Sequence, residues 1–231
     1  MDYPLIVGGK EVHIEEKFEV RSPYDGSLIG NVCAASPDLI EEAISKSALA
    51  FDETSHLCAR HKEDILLRAK ELLKQRAEEF ARMISSEMGK TIREARGEVS
   101  RAQETLALSA ALVREPSGEV LPFDVAPNGA KKWGFYQRFP AGPVLAITPF
   151  NFPLNLAMHK IAPAIAAGNP FILKPASTTP ITGLMLGKLI LDAGYPPDAV
   201  SVLPGSGAKV AEPIAIDERM KVVTFTVLLF R

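Results

Sequence analysis

From residue 141 onward the sequence alternates between two periods. Short apolar runs at 144–148, 171–174, 200–203 and 222–226 are separated by segments of helical spacing at 154–167, 181–193 and 208–214. Strands that follow one another through helices belong to βαβ units, and near-continuous apolar runs suit strands covered on both faces. The alternation therefore predicts an α/β fold built on βαβ units and a parallel sheet.

The first 140 residues read differently. Residues 5–35 are short strands and turns, with Ile6-Val7-Gly8-Gly9-Lys10 as a hairpin tip and Arg21-Ser22-Pro23-Tyr24-Asp25-Gly26 as a turn cluster. Ser36 and Pro37 form an N-cap and first-turn pair, opening a helix to about residue 51. Over 62–88 the residues Ile65, Ala69, Leu72, Leu73, Phe80, Met83 and Ile84 make one apolar stripe, so a single long helix is expected, stopped by Gly89. The next helix carries Ile92, Ala95, Val99, Ala102, Leu106, Ala110 and Val113 at helical spacing. Its Arg93, Glu94, Arg96, Glu98, Arg101 and Glu104 are expected to form a solvated face. Residues 115–140 are strand-like, aromatic and rich in turns. The expected organisation is an N-terminal hairpin and helical part (1–114), a β excursion (115–140), a βαβ part (141–226) and a short tail (227–231).

Composition narrows the function classes. The chain has 231 residues, enough to bury a real core, and its formal net charge of −2 supplies no basic excess for displacing counterions from nucleic acid. No apolar run reaches a membrane-spanning length, and the N-terminus has no basic region leading into an apolar stretch. Two cysteines, Cys33 and Cys58, are too few for a disulfide framework or a thiolate metal site. A cytoplasmic protein without a metal centre is expected.

Several motifs are weak. Gly205-Ser206-Gly207 lies between a strand and a helix, but Val210 stands where the third glycine of a dinucleotide fingerprint belongs. Gly89-Lys90-Thr91 matches the end of a phosphate loop, yet Ile84 occupies the place of its first glycine. His56 and His61 lack a third ligand and read as surface residues. Cys58, near Arg60 and His61, reads as an inert loop cysteine.

The stretch 139–180 is more specific as a set. Pro140-Ala141-Gly142-Pro143-Val144, Thr148-Pro149-Phe150-Asn151-Phe152-Pro153-Leu154, Ala162-Pro163-Ala164-Ile165-Ala166-Ala167-Gly168-Asn169 and Leu173-Lys174-Pro175-Ala176 resemble the aldehyde dehydrogenase superfamily in content, order and spacing. Gly8-Gly9-Lys10, Ser22-Pro23, Gly89-Lys90 and Pro204-Gly205-Ser206-Gly207 extend the resemblance over residues 5–226. It implies an α/β fold with a Rossmann-like parallel sheet and helices, and NAD(P)-dependent oxidation of an aldehyde to a carboxylic acid.

Under that resemblance Asn151 is the side-chain half of an oxyanion hole. A neutral amide donates to a developing oxyanion without a proton of its own, which is typically worth ~2.7–4 kcal/mol in the transition state. The alternative is an asparagine capping the next helix. Lys174 ends a buried-looking strand, and the resemblance gives it the adenine-ribose hydroxyls of the cofactor. Ser177 matches a position that selects between cofactors. Serine neither binds a 2′-hydroxyl as a carboxylate does nor repels a 2′-phosphate, so NADP is expected to be tolerated or preferred over NAD. Equally, Ser177 or Thr179 is an N-cap ahead of Pro180.

Ile147, Thr148, Pro149, Phe150 and Gly207 are the further positions implied to contact the cofactor, although Gly205 and Gly207 are equally plain turn glycines. Phe152, Leu156 and His159 share one helical face and match the wall of the family's aldehyde tunnel, with a satisfied helix histidine as the alternative for His159. Asn155, His159 and Lys160 together are similar to the lactaldehyde and non-phosphorylating glyceraldehyde-phosphate branches, which implies a small polar aldehyde substrate. The 115–140 excursion is implied to start an oligomerisation sheet, so an intact relative is expected to be a dimer or tetramer.

One departure governs the mechanism. After 221–226 the family continues with Gly-Ser and a pyrophosphate-binding helix, whereas this sequence reads Val227-Leu228-Leu229-Phe230-Arg231. The family's catalytic cysteine and general-base glutamate lie beyond this point, and neither Cys33 nor Cys58 matches the nucleophile. The expectation is an N-terminal half with the catalytic domain absent, inactive alone, arising from a frameshift or a shortened gene. The alternative is a non-catalytic fragment that binds a partner subunit or the cofactor.

Overall fold

The structure, a computed structural model, describes residues 1–115 and 117–227. The tail expected at 227–231 lies outside the described residues from position 228 on.

Five short strands open the chain: β1 (Asp2–Tyr3), β2 (Leu5–Val7), β3 (Lys10–Val12), β4 (Lys17–Arg21) and β5 (Leu28–Cys33). β2 and β3 form the expected hairpin, and its tip residues Gly8 and Gly9 have φ of 51° and 72°, a turn that glycine enters without strain. β1, β5 and β4 form a separate small sheet in that order, while β2 and β3 join the main sheet.

Four helices follow: α1 (Pro37–Ser55), α2 (Ala59–Gln75), α3 (Ala77–Met88) and α4 (Ile92–Leu112). Ser36 caps α1 by accepting from the Leu39 N–H, and Thr91 with Glu94 closes a reciprocal capping box on α4. The single helix expected over 62–88 is corrected to two. Arg76 breaks it with φ −99° and ψ 15°, without glycine or proline. Leu73 and Phe80, both fully buried, stand seven residues apart, so the apolar stripe stays in phase across the break and hides it. A second correction concerns α4. Glu98, assigned to the solvated face, is completely buried beside Ala95, Val99 and Ala102.

β6 (Gly118–Leu121) and β7 (Gly134–Gln137) pair into an antiparallel hairpin that leaves Val120, Trp133, Phe135 and Phe139 exposed. The alternating part then runs β8 (Val144–Ile147), α5 (Asn155–Ala166), β9 (Phe171–Lys174), α6 (Pro180–Asp192), β10 (Val200–Val202), α7 (Glu212–Ala215) and β11 (Val222–Phe225). The helix expected from residue 208 starts instead as a π-helical turn, Gly207–Ala211. Pro213 has no N–H for an α-helical bond, and the Glu212 N–H reaches back to Gly207 O.

The main sheet has the order β11-β8-β9-β10-β2-β3. The four βαβ strands are mutually parallel, and the N-terminal hairpin extends them antiparallel through Val202 opposite Ile6, so the sheet is mixed rather than purely parallel. Both faces are covered. Val144, Ala146, Phe171 and Leu173 face α5 and α6 in a core that α2, α3 and α4 complete, while the intervening Leu145 and Ile172 join Ile40, Ala43 and Ile44 of α1 in a second core. β11 is the exception, with Val223 and Phe225 47% and 62% exposed at the sheet edge.

Candidate active site and cofactor cleft

In a parallel sheet every strand ends on the same side, and ligands collect outside those carboxyl ends. Here β8 ends at Ile147 and β9 at Lys174, joined by the Thr148 N–H to Lys174 O bond of 3.2 Å. The segment 148–153 leaves β8 and carries Asn151 between Pro149 and Pro153 into α5.

Two buried glutamates hold the first turns of the helices beyond these strand ends. Glu98 Oε1 accepts from the backbone N–H groups of Leu154 (2.9 Å) and Asn155 (3.1 Å) at the start of α5. Glu87, on α3, accepts from Ile181 N–H (2.7 Å), Thr182 N–H (2.9 Å) and the Thr182 hydroxyl (2.6 Å) at the start of α6. Each carboxylate satisfies amides left over at a helix N-terminus and meets its positive dipole end. Burial outweighs the three donors to Glu87 and pushes its pKa up to about 7.

These caps separate the alternatives for Asn151 and Thr179. Asn151 caps no helix: its Oδ1 is buried without a partner, and no acceptor among the described residues holds its Nδ2. Thr179 stands at the N-cap position of α6, but its Oγ1 is also unpartnered. Ser177 caps nothing either, since its hydroxyl donates to Gly205 O at 2.8 Å. That bond ties the segment after β9 to the turn before Gly207.

Two cations and two carboxylates stand around Asn151. Lys90 Nζ donates to Glu98 Oε2 and to Asn151 O, both at 2.8 Å, and lies 4.4 Å from the centre of the Phe152 ring. The Arg101 guanidinium lies 4.8 Å from the same ring, with no carboxylate partner among the described residues. Lys90, Glu94, Gly97, Arg101, Asn151 and Phe152 line one cleft of about 620 Å³. Leu156 is half-buried and His159 exposed, continuing the Phe152 face along α5.

Lys174 is 6% exposed with no side-chain partner among the described residues, and burial holds its ammonium below the usual lysine range. A second, apolar cleft of about 410 Å³ runs past Ile147, Gly207, Ala208, Ala211, Glu212, Ala215, Val223 and Phe225. Open space faces Gly207, so a ligand can approach its backbone closely. Lys174 stands opposite Ile147 in the β8–β9 register, next to a residue of this cleft. Thr148 and Pro149 are buried and Phe150 half-buried between the two clefts.

Three residues here were not singled out from the sequence: Lys90, Glu98 and Arg101. An acid at helical spacing inside an apolar stripe was the available signal for Glu98, three residues after Ala95 and four before Ala102. Lys160 is likewise buried, and its ammonium donates to Thr226 Oγ1 (2.5 Å) and Thr224 Oγ1 (3.4 Å), fixing α5 to β11. Away from the clefts, Cys33 is buried near Ile14 O and Cys58 is exposed at the start of α2. The described residues hold no metal-ligating cluster and no helix long and apolar enough to cross a membrane.

A sheet covered on both faces, with this strand order and clefts outside its carboxyl end, is a Rossmann-like α/β unit. The model of the aldehyde dehydrogenase family matches residues 11–227, and the chain belongs to that family. It is 39% identical over 224 residues to the 3-sulfolactaldehyde dehydrogenase of Priestia aryabhattai, covering 97% of this chain and 46% of that enzyme. Aldehyde dehydrogenase 21 of Physcomitrella patens, solved with the product succinate, superimposes with a TM-score of 0.91 at 36% identity, over 97% of this chain and 47% of that one. NADP-dependent glyceraldehyde-3-phosphate dehydrogenase of Bacillus halodurans C-125, solved with NADP, gives 0.92 at 29% identity, over 97% and 48%. The chain thus spans about half the length of the relatives it matches.

Proposed function

We propose that this chain is the cofactor-binding, N-terminal half of an enzyme that oxidises a small anionic aldehyde to a carboxylic acid with NAD or NADP. The observation that carries the reading is Asn151, which lines a cleft together with Arg101; among the described residues no acceptor holds its Nδ2 and no carboxylate pairs with Arg101. Asn151 donates to the aldehyde oxygen as it gains charge, and Arg101 holds the anionic end of the substrate by a charge-assisted contact. Phe152, Leu156 and His159 line the approach. The relatives named above act on or were solved with molecules bearing a sulfonate, a carboxylate or a phosphate, which supports an anionic substrate.

The nicotinamide cofactor accepts hydride when bound. Lys174 donates to its ribose hydroxyls, and Ile147, Thr148, Pro149, Phe150 and Gly207 shape its bed. Ser177 carries no negative charge, so a 2′-phosphate meets no repulsion and NADP is accepted. Neither Cys33 nor Cys58 lies in these clefts, and the nucleophile and base belong to the half of the family fold not matched here. The chain alone is expected to bind cofactor without turnover.

Calorimetric titration with NADP+ and NAD+ tests the reading. Binding that is lost in Lys174→Met but kept in Asn151→Ala is expected. No binding of either nucleotide, or binding that Lys174→Met leaves unchanged, would refute it. Aldehyde-dependent NADP+ reduction by the pure chain would overturn the inactive part alone.

A second reading has its own observation. The β6–β7 hairpin and β11 expose Trp133, Phe135, Phe139, Val223 and Phe225, an apolar surface suited to another subunit. Sedimentation that shows a single monomeric species at micromolar concentration would remove it.

A further inference from the structure

We infer that Lys90 is a positioning residue that sets where the Asn151 amide points, an inference that rests on Asn151 being the oxyanion donor. The Asn151 side chain cannot orient itself, because its Oδ1 is buried without a hydrogen bond. Its position is therefore dictated by the backbone that carries it, and that backbone is held by Lys90, just before α4, and by Glu98 on α4. Lys90 Nζ grips Asn151 O at 2.8 Å, and the same ammonium lies over the ring of the next residue, Phe152. Its other strong bond is to Glu98 Oε2, while Glu98 Oε1 takes the Leu154 and Asn155 amides. Residues 151, 152, 154 and 155 are thus all tied to one ion pair, and Pro153 stiffens the chain between them.

Lys90 is itself well anchored. Its carbonyl accepts from the Ser85 hydroxyl at 2.7 Å, and the Thr91–Glu94 capping box fixes the residue after it. Its side chain is only 12% exposed, so the ammonium has few alternative acceptors. Gly89-Lys90-Thr91 is therefore not the end of a phosphate loop. It is the support on which the Asn151 segment rests.

The test uses the full 231-residue chain without aldehyde or cofactor, so its outcome is independent of whether the proposed activity is right. The Asn151 side-chain amide is assigned in 15N NMR spectra by its loss in Asn151→Ala. Amide hydrogen exchange is followed for 150–156 and, as reference, for α6. Lys90→Met is expected to shift the Asn151 side-chain signal and to speed exchange in 150–156 at least about tenfold, while α6 stays protected. Lys90→Arg, whose cation spans the same two acceptors, is expected to return both readouts toward the parent. If Lys90→Met does not fold, Glu98→Gln, which keeps one acceptor for the α5 amides but loosens the lysine, is expected to give the same local signature. An unchanged Asn151 signal, or exchange that rises equally in 150–156 and α6, overturns the inference. Failure of Lys90→Arg to restore the signal does so as well.

Discussion

Replacing Glu87 with glutamine is expected to remove a pH dependence from the stability of the whole chain. Glu87 is 3% exposed, and Tyr3 is the titratable neighbour that feels its charge. Its carboxyl titrates at about 7 in the folded chain and at the ordinary 4.5 when unfolded. Between those values the folded state holds the proton more tightly, so stability is complete below 4.5 and declines as pH rises through 7. Each pH unit in that window corresponds to about 1.4 kcal/mol, which gives a loss of about 3 kcal/mol across it. For a chain of this size that is on the order of 10 °C in Tm. A glutamine amide resembles the protonated acid and does not titrate, so the stability of the variant relative to the parent should improve by that amount as pH rises. Urea unfolding followed by circular dichroism at intervals from about pH 5 to about pH 8 reads the difference directly. Parallel curves for parent and Glu87→Gln, with no pH-dependent gap, would show that the three donors and not burial govern this carboxyl.

Gly89→Ala should cost about 1–2 kcal/mol in the same assay, because φ is 72° and the new Cβ would stand 2.9 Å from Pro23 Cγ. Lys174→Met should raise the stability of the cofactor-free chain by about 1 kcal/mol or more, since it removes a buried ammonium without a partner; a thermal scan that shows a loss would contradict the unpaired state of that lysine. Ser177→Glu should weaken NADP+ binding on the order of tenfold relative to NAD+, by placing a carboxylate against the 2′-phosphate. An unchanged NADP+ to NAD+ ratio in calorimetry would move the cofactor's adenosine away from this position.

The sheet was legible because strand and helix periods differ and because both faces of the strands are apolar; 171–174 matches β9 to the residue. The break at Arg76 was not legible, since pattern reports which face is buried and not whether the axis is continuous. The place of the hairpin in the main sheet was also hidden, because a local sequence signal says nothing about a partner nearly two hundred residues away. In the site, the Thr148–Leu154 block stood out through its resemblance to the aldehyde dehydrogenase superfamily, not through its spacing alone. What braces it comes from helices whose charged residues look, one at a time, like solvent-facing ones. Glu87 and Glu98 are buried only because two other helices bring unpaired N–H groups to meet them, and that meeting is a tertiary fact.

The hairpin's position also sets a timetable. Gly8 donates to Ser201 across 193 residues of sequence, and Leu5, Ile6 and Val7 are fully buried only once β10 lies beside them. At roughly 5–20 residues per second of synthesis, these three side chains wait on the order of 10–40 seconds for their partner strand. During that interval Leu5–Val7 is an apolar strand with β3 on one edge and no partner on the other. The longest wait for a partner strand in this sheet therefore belongs to Leu5, Ile6 and Val7.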